Sequence, residues 1–342
     1  MKHFEWTAPG TLAQALQSRA RTTSSLMSAS EPGSAGSAVL KAGGIDVLGL
    51  MKNGLLAPQR LVSLRNIVEL RQIVERPNGE IAIGANATLA EVAAHPAIRQ
   101  RYTALGQAVE TSASPQLRNV ATLAGNLLQR PRCWYFRSPA FRCARKGGDT
   151  CYAFSGENQY HAIFGQDGCA MVHPSTPATA LAAWGASIEI ASPPRGRRAV
   201  PIEAFFLAPA QSITRENTLA NGDIVTAVVL PGSRPGMRSA HVRLGETDSF
   251  DWPLADVAVV LDLDADRVCR LARVVLGSAA PVPHRARAAE VVLRGRRIDA
   301  ETLRRAAHEA VADATPLAHN AYKLPIFEAL VGRAVSQAAQ RT

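Results

Sequence analysis

No apolar run in these 342 residues approaches the roughly 20 needed to cross a bilayer, which excludes a membrane-spanning helix. The N-terminus, Met1-Lys2-His3-Phe4-Glu5-Trp6, lacks an apolar signal core. The chain is therefore expected in the cytoplasm, or in the periplasm if exported while bound to a partner that carries a signal. No G-x-G-x-x-G fingerprint follows a strand, so the dinucleotide fold built on that loop is excluded. The formal charge is +10, but Lys and Arg are scattered and form no aromatic-interleaved stripe. That argues against nucleic acid and leaves a solvated basic surface or a docking face for an acidic partner. No nucleophile–base–acid pattern stands out, and no catalytic residue is assigned. Cysteine is scarce and odd in number, five in all, which argues against a secreted disulfide framework.

Four of those five are crowded together. Cys133, Cys143, Cys151 and Cys169 follow the pattern C-x9-C-x7-C-x17-C, while Cys269 sits alone in a strand-like run as a packed thiol. Such clustering points to metal or cluster ligation in a reducing compartment. Structural zinc sites favour close pairs, because one tight turn presents two thiolates, and no gap here is that short. Wide spacing suits a loop wrapped around something larger, such as an iron–sulfur cluster. Arg130, Arg132, Arg137, Arg142, Arg145 and Lys146 accompany the first two cysteines with no acid between them, a setting that favours an anionic centre. Zinc and free thiols stay open as rivals. His161 and His173 read as hydrogen-bonding or structural, and Trp134, Tyr135, Tyr152 and Tyr160 as packing around the loop.

Two glycine loops flank this region in sequence. Val39-Leu40-Lys41 leads as a strand into Ala42-Gly43-Gly44-Ile45-Asp46 and a helix over 47–52. Some eighty residues later, Thr122-Leu123-Ala124-Gly125-Asn126 repeats the design of small residues, backbone donors and a polar side chain. Two such loops face to face would cradle a pyrophosphate. Elsewhere, residues 21–38 read as a Ser/Gly/Ala-rich loop, and 98–110 as one helix. Beyond the linker Pro231–Gly236, the pattern predicts a strand, a hairpin about Asp264-Ala265-Asp266 and three helices. These form a small sheet covered on one face, an α+β arrangement. The middle helix carries the stripe Leu303, Ala306, Ala307, Ala310 and Val311.

Taken in order, several pieces resemble the FAD-binding subunit of the xanthine dehydrogenase (molybdenum hydroxylase) family over nearly the whole chain. They are Ala42-Gly43-Gly44-Ile45-Asp46, Arg60-Leu61-Val62, Ile83-Gly84-Ala85, Gln116-Leu117-Arg118-Asn119 with Thr122–Asn126, Ser249-Phe250-Asp251, and Leu276–Pro281 through Arg285 and Glu290. The segment from Cys133 through Gly156-Glu157-Asn158 to Gly165 is similar to the aldehyde oxidoreductase subgroup, whose FAD subunit carries an extra [4Fe-4S] cluster. The resemblance implies an α+β, PCMH-type FAD domain of two α/β subdomains, residues 1–56 and 57–232, the cluster insertion at about 130–172, and a C-terminal domain at 237–342. It implies FAD contacts at Lys41, Ala42, Gly43, Gly44, Ile45, Asp46, Val47, Leu48 and Gly49, and at Gln116, Asn119, Thr122, Ala124, Gly125 and Asn126. Cluster ligation by Cys133, Cys143, Cys151 and Cys169 is implied too. Thr176 stands where the family often has Asp, Arg243 where it has Lys, and Ile45 where Thr is usual. The implied partners are a large molybdenum-cofactor subunit, a small [2Fe-2S] subunit and an external electron acceptor. The rival readings are a stand-alone flavin oxidoreductase of this fold and a zinc-stapled binding protein.

Overall fold

The computed structural model describes residues 1–28, 37–193, 195–247 and 250–341, arranged around three sheets. Strands β1 (Glu5–Thr7), β2 (Ala38–Lys41) and β3 (Arg60–Ser63) form a parallel sheet in the order β1-β3-β2. Parallel neighbours need a crossover, and the helix Ile45–Lys52 supplies it between β2 and β3. The expected loop over 21–38 is corrected in part. Thr22 caps a helix over Thr23–Met27 by accepting from the Ser25 amide, and Leu26 and Met27 are buried beneath it. Residues 29–36 of that stretch, Pro194 and Ser249 lie outside the described residues.

The second sheet is antiparallel, with β4 (Ile73–Glu75), β5 (Ile81–Gly84), β6 (Ser187–Ser192), β7 (Gly196–Pro201) and β8 (Ile224–Leu230) in the order β4-β5-β8-β6-β7. Strand β4 carried no readable signal, being a three-residue edge with one half-buried side chain. The single helix expected over 98–110 is two, Pro96–Arg101 and Thr103–Glu110. The break is at Tyr102, which is fully buried. Its hydroxyl donates to the Pro231 carbonyl at 2.7 Å, and its ring lies 4.6 Å from that of Trp184. That tertiary anchor overrides local helix propensity.

Strands β9 (Met237–Leu244), β10 (Ala255–Leu263), β11 (Cys269–Gly277) and β12 (His284–Arg285) form the antiparallel third sheet, in the order β12-β11-β10-β9. Helices Arg287–Leu293, Ala300–Glu309 and Lys323–Gln340 follow, as expected. They cover one face, where Val257, Val259, Leu261, Val274 and Leu276 meet Phe327, Val331 and Val335. The other face is covered as well. Ala258, Val260 and Val275 point into a second core with Trp184 and the helix Thr176–Trp184, which is buried along its whole length. A strand apolar on both faces, as β10 is, requires two covers. No helix among the described residues is long and apolar enough to cross a membrane.

Candidate functional site

The two glycine loops meet. A Cβ added to Gly43 would lie 2.3 Å from the Val120 carbonyl oxygen, and one on Gly125 would approach the Ala42 Cβ at 4.0 Å. Backbone contact this close admits only glycine at 43. Gly44 holds φ at +92°, the left-handed value that lets β2 turn directly into the helix Ile45–Lys52. Thr122 caps the second loop's short helix, Leu123–Leu127, by accepting from the Gly125 amide at 3.1 Å. Asn126 is tied to the next segment, its Oδ1 accepting from Ser175 Oγ at 2.6 Å.

Together the loops wall a cleft of about 270 Å³. Of the residues singled out from sequence, Ala42, Gly43, Gly44, Ile45, Asp46, Val47, Thr122, Ala124, Gly125, Asn126 and Thr176 line it. Lys41, Leu48, Gly49, Gln116, Asn119 and Arg243 do not. Lys41 turns over the Trp6 ring at 5.2 Å. Burial, helped by the Arg65 charge, lowers its pKa. Gln116 and Asn119 face solvent. Leu48 packs beneath the first sheet, and a Cβ on Gly49 would meet only open space. Arg243 acts one step back: its guanidinium donates to the Thr111 and Asp251 carbonyls, and Asp251 borders the cleft. Sequence reasoning missed Asn86, the Thr111–Ala113 turn, Arg215, Glu216 and Asp223, polar residues from scattered loops with no shared pattern.

The four clustered cysteines converge as well. Cys133, Cys143, Cys151 and Cys169 all border a second cavity of about 20 Å³, with Tyr135, Phe136, Tyr152, Arg145 and His161 in the same wall. Among the described residues, no three His, Cys, Asp or Glu side chains close on one point as ligands of a single metal ion do. Gly148 is essential to the loop geometry, since a Cβ there would lie 1.9 Å from the Arg142 carbonyl oxygen. Burial raises the Cys133 thiol to about 12 and raises Cys143. Cys151 rises too, through its hydrogen bond with Cys169 and then burial. Cys169 moves the other way, to about 5, because the Cys151 thiol and then the Arg145 charge favour its thiolate. His161 Nε2 lies 3.2 Å from Cys133 Sγ, and burial holds that imidazole near 4 and neutral. His173, packed against the Phe206 ring, is held near 3 by burial. Trp134 lies edge-on to Tyr160 and His161, and Tyr135 stacks with Tyr152, a packed aromatic wall as expected. Cys269 is fully buried, its thiol donating to the Leu271 carbonyl.

Arginines join the two cavities. Asp46 of the first glycine loop accepts from the Arg130 amide at 2.8 Å and from Arg137 at 2.7 Å, and pairs with the Arg132 guanidinium at 2.9 Å. Its carboxylate fastens the first loop to the start of the cysteine segment. The far side of that segment is stitched to the third sheet and the last helix. The Ile163 amide donates to Ala279, Asn320 to the His161 and Ala162 carbonyls, and Lys323 to the Ser278 carbonyl. Lys323 is almost fully buried, and burial lowers it to about 7.

A family model described as the FAD binding domain in molybdopterin dehydrogenase matches residues 2–233, and one for the CO dehydrogenase flavoprotein C-terminal domain matches 241–338. The aldehyde oxidoreductase FAD-binding subunit PaoB of Escherichia coli (strain K12) is 32% identical over 302 residues, covering 87% of this chain and 90% of that one. The carbon monoxide dehydrogenase medium chain of Hydrogenophaga pseudoflava is 26% identical, covering 89% and 90%. A solved carbon monoxide dehydrogenase from Hydrogenophaga pseudoflava superposes with a TM-score of 0.74 at 25% identity, covering 98% of this chain and 97% of that one. Quinoline 2-oxidoreductase from Pseudomonas putida 86 shares the fold, with a TM-score of 0.72 at 24% identity and 99% coverage of both chains.

Proposed function

The chain belongs to the family of FAD-binding subunits of molybdenum hydroxylases, and from that premise we propose that it carries electrons between a molybdenum partner and an external acceptor, using FAD and a [4Fe-4S] cluster. It is a subunit of an FAD-dependent oxidoreductase. The observation that carries the FAD part is the cleft between two abutting glycine loops, where a side chain at Gly43 would displace the opposite loop. Residues 42–47 and 122–126 would hold the pyrophosphate, with Thr176 beside them offering a hydroxyl but no charge. When bound, FAD accepts electrons singly and releases one or two. The chain's own task is then to bind, orient and shield. That task needs no general base.

The cluster is supported by the donor set. Four thiols from separated positions border one cavity, arginine stands against Cys169, and among the described residues no Asp or Glu lines that wall. Such surroundings suit an anionic four-thiolate centre, and thiols disposed around a cavity suit a cluster more than one ion. Present space is about that of one water, so a bound cluster would spread the thiols from these positions. The partners would be a large molybdenum-cofactor subunit and a small [2Fe-2S] subunit passing electrons to this chain. The Cys143→Ser variant tests the ligand assignment. It should lose the four-iron signal and keep FAD, since Cys143 does not border the flavin cleft. A full iron complement in that variant overturns the assignment.

A further inference from the structure

Glu216 borders the larger cleft and reaches the wall of the cysteine cavity through Arg145. Its Oε1 accepts from Arg145 Nη1 at 2.8 Å and lies 3.3 Å from Arg130 Nη2, while Oε2 accepts from Ser24 Oγ at 3.3 Å. Arg145 Nε in turn donates to Cys169 Sγ at 3.3 Å. Glu216 is 6% exposed, and Arg130 and Arg145 are 1% exposed each. One carboxylate is thus shared by two buried guanidiniums, of which one borders the flavin cleft and the other borders the cysteine cavity. Among the described residues, the Arg145 Nη2 and all three Arg130 side-chain nitrogens have no hydrogen-bond acceptor. Buried excess positive charge is costly unless anions stand nearby, and charges this deep act on one another with little screening.

We propose that Glu216, through Arg145 and Arg130, is the positioning residue that couples the cysteine centre electrostatically to the flavin cleft. It competes with the Cys169 sulfur for the Arg145 guanidinium and so sets how much positive charge each site receives. Coupling between two sites is reciprocal, so a change of charge at either is felt at the other. This rests on the FAD and cluster reading above.

The test uses the full chain purified with its partner subunits. Iron and FAD are measured first on the unaltered protein, and absence of either overturns the reading above rather than the coupling. Midpoint potentials of the cluster and of FAD are then titrated in Glu216→Gln, Glu216→Asp and Asp251→Asn. Removing the Glu216 charge favours the more negative, reduced state at both sites. The expected result is at least a tenfold shift in each reduction equilibrium, or 59 mV upward for a one-electron step. Glu216→Asp keeps the charge and should stay near the unaltered protein. Asp251 borders the cleft, but its carboxylate accepts from the Trp252 amide rather than from Arg145, so Asp251→Asn should move the flavin alone. Unchanged potentials in a folded Glu216→Gln protein overturn the coupling and leave the residue a structural one. Should that variant fail to fold, the unaltered protein suffices. Its cluster potential must differ between FAD-loaded and FAD-stripped forms, and equality refutes the link.

Discussion

Gly43→Ala and Gly49→Ala separate the contact between the two loops from mere membership of the first loop. At position 43 the new methyl would sit 2.3 Å from the Val120 carbonyl oxygen and about 3 Å from the Val120 carbonyl carbon and Ala121 Cα, all backbone. No rotamer relieves this, so the loops must part by about 1 Å, an overpacking strain of about 1–3 kcal/mol. If FAD requires the present spacing, its affinity falls roughly 5- to 150-fold. At position 49, inside the helix Ile45–Lys52, the methyl meets open space. Alanine there should stabilise by about 0.5–1 kcal/mol through its better helix propensity and leave FAD untouched. Flavin titration by fluorescence quenching and thermal melting read the two effects separately. Wild-type FAD affinity in Gly43→Ala would refute the backbone contact between the loops. A flavin defect in Gly49→Ala would place that residue in the site, against the geometry.

The buried His173 gives a pH signature. Its folded pKa, near 3, lies below the ordinary 6.5, so between these values the unfolded chain binds the extra proton. Stability is therefore full above about pH 6.5 and falls as pH drops toward 3, by on the order of 3 kcal/mol at pH 4. His173→Gln should flatten that limb of a denaturation series, and an unchanged slope would contradict the burial argument. Asp46→Asn removes the anion shared by Arg132 and Arg137 and leaves one amide oxygen to accept. It should cost about 2 kcal/mol and loosen both FAD and iron, read by melting and by cofactor content. Loss of only one cofactor would show that Asp46 does not fasten the two sites together.

Much of the fold was readable because its signals are local. The strand, glycine turn and helix through Lys41–Lys52, the hairpin at 264–266 and the stripe Ala306, Ala307, Ala310 and Val311 all emerged within a residue or two. The cysteines were legible by crowding alone. What escaped is non-local. Tyr102 breaks a helix because of a carbonyl 129 residues away. The third sheet's second cover comes from helices far earlier in sequence. Glu216 sits in a loop with no motif, and its role exists only where Arg130 and Arg145 converge. Asp46 reads as a loop polar group until three arginines arrive from 84 to 91 residues downstream. The resemblance implies flavin contacts at Lys41, Gly49 and Asn119 by position in a motif, and these three do not border the cleft.

The central claim is tested most directly by FAD, iron and zinc per chain in the complex purified with its partners, with absorbance recorded before and after dithionite. The account predicts one FAD, about four irons beyond those of the small subunit, and bleaching on reduction. Zinc in place of the extra iron would make the cysteine loop a structural staple. Absence of flavin would contradict the reading of the two glycine loops and the account built on them.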